Sequence, residues 1–158
     1  MSQKSYAEMV DEFTIASGAK NTEITEMSKE QVKFIAKMTI DELLELMITV
    51  FDAKESKAVL HEIIDEAKEL KYKELDKVDR IAEQADAVVD MIYYLLNATS
   101  KNNINVDPIF VGVHDKNMEK RDPKTGLFIK RDDGKILKPE GWTPYNVSDE
   151  IKKQLENR

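Results

Sequence analysis

Two short acidic spacings stand out in the chain. The run Ile40-Asp41-Glu42-Leu43-Leu44-Glu45-Leu46 contains Glu42-x-x-Glu45, and Glu83-Gln84-Ala85-Asp86 repeats the device as Glu-x-x-Asp. On a helix, a separation of three puts both carboxylates on neighbouring positions of one face. Asp41 stands four residues before Glu45, and Asp90 lies one turn beyond Asp86. Like charges so placed repel by about 0.2–0.5 kcal/mol on an exposed face, and the cost grows when the face is buried. A hard divalent cation is the natural compensator. Mg²⁺, or Mn²⁺, takes carboxylate oxygens and keeps positions open for water and a substrate phosphate. Two facing helices that each offer such a pair would form the kind of cage that helical bundles build in their cores. The same spacing is also common on solvated faces of acid-rich helices, as with Glu55/Glu62 and Glu66/Glu69. Glu83-x-x-Asp86 differs because it interrupts an otherwise apolar helix.

Basic residues cluster later, at Lys116, Lys120, Lys130, Arg131, Lys135 and Lys138, where they would hold phosphates or line a solvated face. Asn117 would donate to a phosphate or base, or cap a helix end. His114 reads as a structural hydrogen-bonder and His61 as a surface residue. Trp142 reads as packing the hairpin against a partner subunit, with stacking on a base as the alternative.

The elements that must carry these residues are mostly helical. Met9, Val10, Phe13 and Ala16 recur at helical spacing from Lys4 to about Ser17, with Gly18 as the stop. Ser28 and Gln31 form a capping box opening a second helix from about Lys29 to Phe51, with a break expected near Thr39. A third helix follows from Lys54 to about Leu70. Asp79 to Ser100 is apolar on several sides, which marks a central helix. Asp107-Pro108 is expected to cap a short helix to about Glu119, and Ser148 starts a last one ending near Leu155. Between them, Leu127-Phe128-Ile129 and Ile136-Leu137 flank Asp132-Asp133-Gly134 and read as a hairpin. The expectation is an all-α helical bundle with a small C-terminal β-hairpin appendix, a single domain over 1–158 whose hairpin and tail occupy about 121–158.

The 158 residues suit one domain with a real core. A net charge of −7 argues against a nucleic-acid polymer as partner, because such binding rests on neutralising phosphates. The absence of cysteine excludes disulfides, thiolate metal sites and cysteine nucleophiles. No stretch approaches the apolar length of a membrane span and the first residues lack a signal-like apolar core, so a soluble, cytoplasmic protein is expected. Helices this apolar, Tyr93 and Tyr94 included, call for a homo-oligomer, a dimer or tetramer.

These residues resemble a family. Glu42-x-x-Glu45 followed by Glu83-x-x-Asp86 looks like the signature of the MazG-like all-α nucleoside triphosphate pyrophosphohydrolases, which include dimeric dUTPases, dCTPases and phosphoribosyl-ATP pyrophosphohydrolase. Val113-His114-Asp115-Lys116-Asn117-Met118-Glu119-Lys120 and Asp133 to Pro144, with its Lys138-Pro139-Glu140-Gly141-Trp142, look like the tail of a phosphoribosyl-ATP pyrophosphohydrolase-like subgroup. The likeness covers roughly Thr39 to Tyr145. The stretch from Glu45 to Glu83 is longer than in compact members, so the third helix reads as an elaboration.

The resemblance implies Mg²⁺-dependent cleavage between the α- and β-phosphates, giving a nucleoside monophosphate and pyrophosphate. It implies Glu42, Glu45, Glu83 and Asp86 as metal ligands, and Asp41 or Glu42 as the group that orients water and takes its proton. Asp90, Asn117, Lys120 and Lys138 are the expected substrate contacts. dUTP or another (deoxy)nucleotide is the expected substrate. The alternatives are phosphoribosyl-ATP in histidine biosynthesis and a non-catalytic helical interaction module.

Overall fold

A computed structural model describes residues 4–67, 71–131 and 136–157. Six helices occur among them: α1 (Tyr6–Ala16), α2 (Lys29–Met47), α3 (Ala53–Glu66), α4 (Lys77–Lys101), α5 (Asp107–Met118) and α6 (Val147–Glu156). The chain forms two compact units, one of residues 25–89 and one of residues 1–24 with 90–158.

Local chemistry explains most of the helix starts. Ser5 with Glu8, Ser28 with Gln31 and Asp52 with Glu55 form reciprocal capping boxes at α1, α2 and α3. Asp76 serves α4, its carboxylate accepting from the Asp79 N–H at 2.9 Å. α2 runs unbroken past Thr39 and ends at Met47, short of the expected Phe51. The start of α5 differs in its cap. The residue before the helix is Val106, and the Asp107 N–H is satisfied by Asn105 Oδ1 at 3.1 Å. The Asp107 carboxylate is taken instead by the Tyr6 hydroxyl.

In the unit of residues 1–24 and 90–158, α1 packs on α5 and α5 on α6. Its core joins Ala16, Met118 and Phe128, with Phe13 and Ile136 packed against them. Gly112 lets the tail close on α5, since a Cβ there would collide with the Tyr145 ring.

The expected hairpin does not form as a strand pair. Among the described residues only isolated antiparallel bridges occur, Arg121 with Phe128 and Lys130 with Ile136. The turn candidate Asp132-Asp133-Gly134 lies outside the described residues. The reason is visible in where the backbone groups go. Asp122 folds its own loop, its carboxylate accepting from the Lys124 and Thr125 N–H groups at 2.7 and 3.1 Å, with Gly126 at φ +71°. The Phe128 N–H then donates to the Ala16 carbonyl at 3.3 Å, and its ring enters the core. The segment is an arm laid on α1 rather than a sheet.

In the unit of residues 25–89, α2 packs on α3. Met47 and Ser56 are its buried residues among those described. α4, expected to be central, has no buried residue. Val89, Tyr93, Tyr94 and Leu95 are all exposed.

Candidate active site

The acidic residues lie on α2 and α4 as their spacing requires. Asp41, Glu42 and Glu45 on α2 and Glu83, Asp86 and Asp90 on α4 are all exposed. Among the described residues, Glu42, Glu45, Asp86 and Asp90 make no hydrogen bond or ion pair, whereas Glu83 accepts from the Lys73 ammonium. Leu43 and Leu46 on α2, and Val89 and Ile92 on α4, leave apolar surface exposed beside them.

The start of α2 is tied to α4 by two contacts that sequence reasoning missed. Gln84, between the two α4 motif residues, accepts from the Met27 N–H at 2.7 Å and donates to the Met27 carbonyl at 3.1 Å. Arg80, one turn earlier, pairs with Glu26 at 3.1 Å. A side-chain amide that satisfies both backbone groups of one residue fixes that residue's position and direction. The position of Gln84 inside the acidic motif was the available signal.

A carboxylate set suits a hard divalent ion by donor chemistry. The geometry is less complete. Among the described residues, no group of three or more His, Asp or Glu side chains is close enough to share a metal ion. The backbones of α2 and α4 do not come within packing distance. Each pair is presented, but the two pairs are not gathered.

The basic residues of the tail are organised around Trp142. The Lys120 ammonium lies 4.5 Å and the Lys138 ammonium 4.8 Å from the indole ring. The indole N–H donates to the Lys116 carbonyl at 2.7 Å, which anchors the ring on the end of α5. Trp142 therefore packs on its own chain's α5 and also collects two cations. Burial, and then the charge of Lys138, hold the Lys120 ammonium below its ordinary pKa. Asn117 accepts from Lys120 Nζ at 2.7 Å, so it joins this group rather than capping the helix. Lys116 pairs with Glu119 at 2.8 Å, and Lys130 donates to the Ser17 carbonyl. Lys135 lies outside the described residues. His61 is exposed, and His114 is largely buried with Nε2 3.6 Å from Glu12. Glu12 is held below its ordinary pKa, chiefly by the Lys4 ammonium 2.5 Å away.

Two kinds of side-chain cluster thus stand on the chain. Exposed carboxylate pairs suit a cation, and a lysine pair over an indole suits an anion such as a phosphate. Among the described residues, no helix is long and apolar enough to cross a membrane.

Comparison with known proteins bears on this chemistry. The family model described as phosphoribosyl-ATP pyrophosphohydrolase matches residues 3–117. A crystal structure from Exiguobacterium sp. 255-15, of a protein provisionally designated an NTP pyrophosphohydrolase, is similar at 24% identity, with a TM-score of 0.82 over 99% of each chain. That likeness shows the fold. No curated protein matches.

Proposed function

Because the chain belongs to the phosphoribosyl-ATP pyrophosphohydrolase family and is thereby a hydrolase of phosphoanhydride bonds, we propose that it is a cytoplasmic, Mg²⁺-dependent nucleoside triphosphate pyrophosphohydrolase. The observation that carries the reading is the pair of exposed i, i+3 carboxylate motifs. An all-oxygen donor set of this kind, largely without protein partners, suits phosphoryl chemistry, which depends on positioning and charge neutralisation more than on a covalent nucleophile.

In this reading Glu42, Glu45, Glu83 and Asp86 hold the ion. When bound, Mg²⁺ supplies positive charge to the phosphate oxygens as negative charge develops there. Asp41 or Glu42 orients a water molecule toward the α-phosphorus and takes its proton. The new bond joins that water oxygen to the α-phosphorus, the bond to the α–β bridging oxygen breaks, and pyrophosphate leaves with the bridging oxygen. Lys120, Lys138 and Asn117 hold phosphate oxygens, and Asp90 contacts the sugar or base. dUTP or another (deoxy)nucleotide is the substrate, which fits a house-cleaning role.

A second copy of the chain completes the assembly. The apolar surface left open on α2 and α4 has no cover within the described residues, and a symmetric partner would bury it while bringing further carboxylates to the ion. Light scattering is expected to give a dimer or tetramer mass, and a monomer mass would remove this part of the reading.

The family's description favours one specific alternative, phosphoribosyl-ATP as the substrate. A single experiment separates the two. The wild-type chain is incubated with Mg²⁺ or with EDTA, against (deoxy)nucleoside triphosphates and phosphoribosyl-ATP, and the products are identified by ³¹P NMR. Monophosphate plus pyrophosphate from a nucleoside triphosphate, lost in EDTA, is the expected result. Preference for phosphoribosyl-ATP would establish the alternative, and orthophosphate as the product would contradict both.

A further inference from the structure

The proposed ion needs the α2 pair Glu42/Glu45 and the α4 pair Glu83/Asp86 together, yet within the unit of residues 25–89 they stand apart. Two ties fix the entry to α2 beside the α4 pair. Gln84, adjacent to Glu83, clasps both backbone groups of Met27, at 2.7 and 3.1 Å. Arg80 pairs with Glu26 at 3.1 Å. Ser28 then caps α2, which runs unbroken to Met47. Glu42 and Glu45 follow Ser28 by 14 and 17 residues. A rise of about 1.5 Å per residue carries them about 21 and 26 Å along the helix from the point held at Gln84. Oxygens that share one Mg²⁺ stand about 2.0–2.1 Å from it, and so within about 4 Å of one another. The offset along α2 exceeds what two glutamate side chains span. The ties thus bring the first turn of α2, not its carboxylates, to Glu83 and Asp86. In agreement, the backbones of α2 and α4 do not come within packing distance.

Each pair is therefore half of a ligand set whose other half its own chain does not bring. Both halves stand beside uncovered apolar side chains, Leu43 and Leu46 on α2 and Val89 on α4. A second copy packed on these surfaces covers them and brings the missing pair at once. Twofold symmetry makes the exchange reciprocal: where α2 of one copy meets α4 of the other, the converse contact also forms, and two identical sites result. We infer that each metal site is assembled between two copies of the chain, Glu42 and Glu45 coming from one and Glu83 and Asp86 from the other. The inference rests on the metal-dependent pyrophosphohydrolase reading and adds to it which copy supplies which ligand.

The test puts the two defects on different chains. One variant carries Glu42→Gln with Glu45→Gln, the other Glu83→Gln with Asp86→Asn. All four residues are exposed, so both variants are expected to fold. They are co-expressed with different affinity tags and purified through both tags in turn. Mn²⁺ is then titrated into the protein and its uptake read from the paramagnetic resonance signal of the free ion, with hydrolysis measured alongside. Each variant alone is expected to take up no Mn²⁺ and to be inactive. The mixed assembly, in which a twofold pair holds one complete site of its two, is expected to recover about a quarter to a half of wild-type uptake and activity. Wild type co-purified with a chain lacking all four carboxylates is the converse control. Shared sites leave that pair with neither property, whereas sites held within one chain leave it with about half. No recovery in the first mixture, recovery in the second, full uptake by either variant alone, or failure of the tagged chains to co-purify overturns the inference. The Mn²⁺ titration does not depend on hydrolysis. If the wild type binds the ion but cleaves no phosphoanhydride, the pyrophosphohydrolase reading fails and the uptake still decides whether the site is shared.

Discussion

The unit built from α1, α5, α6 and the tail differs from the unit of residues 25–89 in how its side chains are used. In the first, rings and polar groups lock to one another: Phe13 on Phe128, Tyr6 on Phe110 and Asp107, Trp142 on the Lys116 carbonyl. In the second, the described apolar residues are mostly open, and Gln84 with Met27 and Arg80 with Glu26 are its main long-range ties. The carboxylate pairs sit on helices whose neighbouring apolar side chains are exposed, and the cations sit over a ring that is anchored on α5. A cation pair over an indole needs a rigid base to hold two like charges together, whereas carboxylate pairs are ordered by what they bind. The contrast teaches that the lysine–indole cluster is ordered by the chain's own contacts, whereas the carboxylate pairs are not, so in the proposed function it is the metal-binding side that ion and substrate would have to order.

Phe128→Ala attacks the rigid part directly. Removing a buried ring from the Ala16–Met118 cluster is expected to cost about 3–5 kcal/mol in urea unfolding. A cost near zero would mean the arm is not part of the core. Gln84→Ala probes the sparser unit. Losing both hydrogen bonds to Met27 is expected to cost about 1–2 kcal/mol, with a fall in Mg²⁺-dependent activity because the start of α2 is released. Stability lost without any change in activity would separate this tie from the site.

The smallest effect concerns pH. Burial, followed by the Asp107 carboxylate that accepts its hydrogen bond, pushes the Tyr6 hydroxyl up to about 12 from an ordinary 10. The folded state therefore holds this proton more tightly than the unfolded one. Its contribution is fully present below pH 10 and is lost as pH rises through 12. Tyr6→Phe is expected to remove that part of the alkaline loss when thermal melts are compared from pH 9 to 12. Identical slopes would show that the Asp107 contact does not couple to folding.

Much of this was legible in the residues. The Ser28-to-Gln31 spacing located the start of α2, and the acidic spacings located the carboxylates, because both are local rules of helix geometry. Just past the end of α4, Asn103 takes φ 56°, a left-handed value that asparagine tolerates. What failed depended on distant partners. Leu127-Phe128-Ile129 has strand composition, yet the Phe128 N–H is claimed by Ala16, more than a hundred residues away in sequence. An apolar α4 reads as a central helix, yet none of its residues is buried, because burial depends on what packs against a helix and not on its composition. Lys73 reaching Glu83 and Gln84 clasping Met27 are side-chain choices that no periodicity encodes.

The central claim is that the α4 carboxylates act in catalysis rather than in folding. Pyrophosphate release from the best triphosphate substrate with Mg²⁺ should be measured for wild type, Glu83→Gln and Asp86→Asn, with melting temperatures alongside. Both residues are exposed, so the substitutions are expected to change stability by no more than about 0.5 kcal/mol. Activity is expected to fall by about 100-fold or more, as loss of a metal ligand should cost at least what loss of its supporting contacts does. Full activity in both variants would contradict the account.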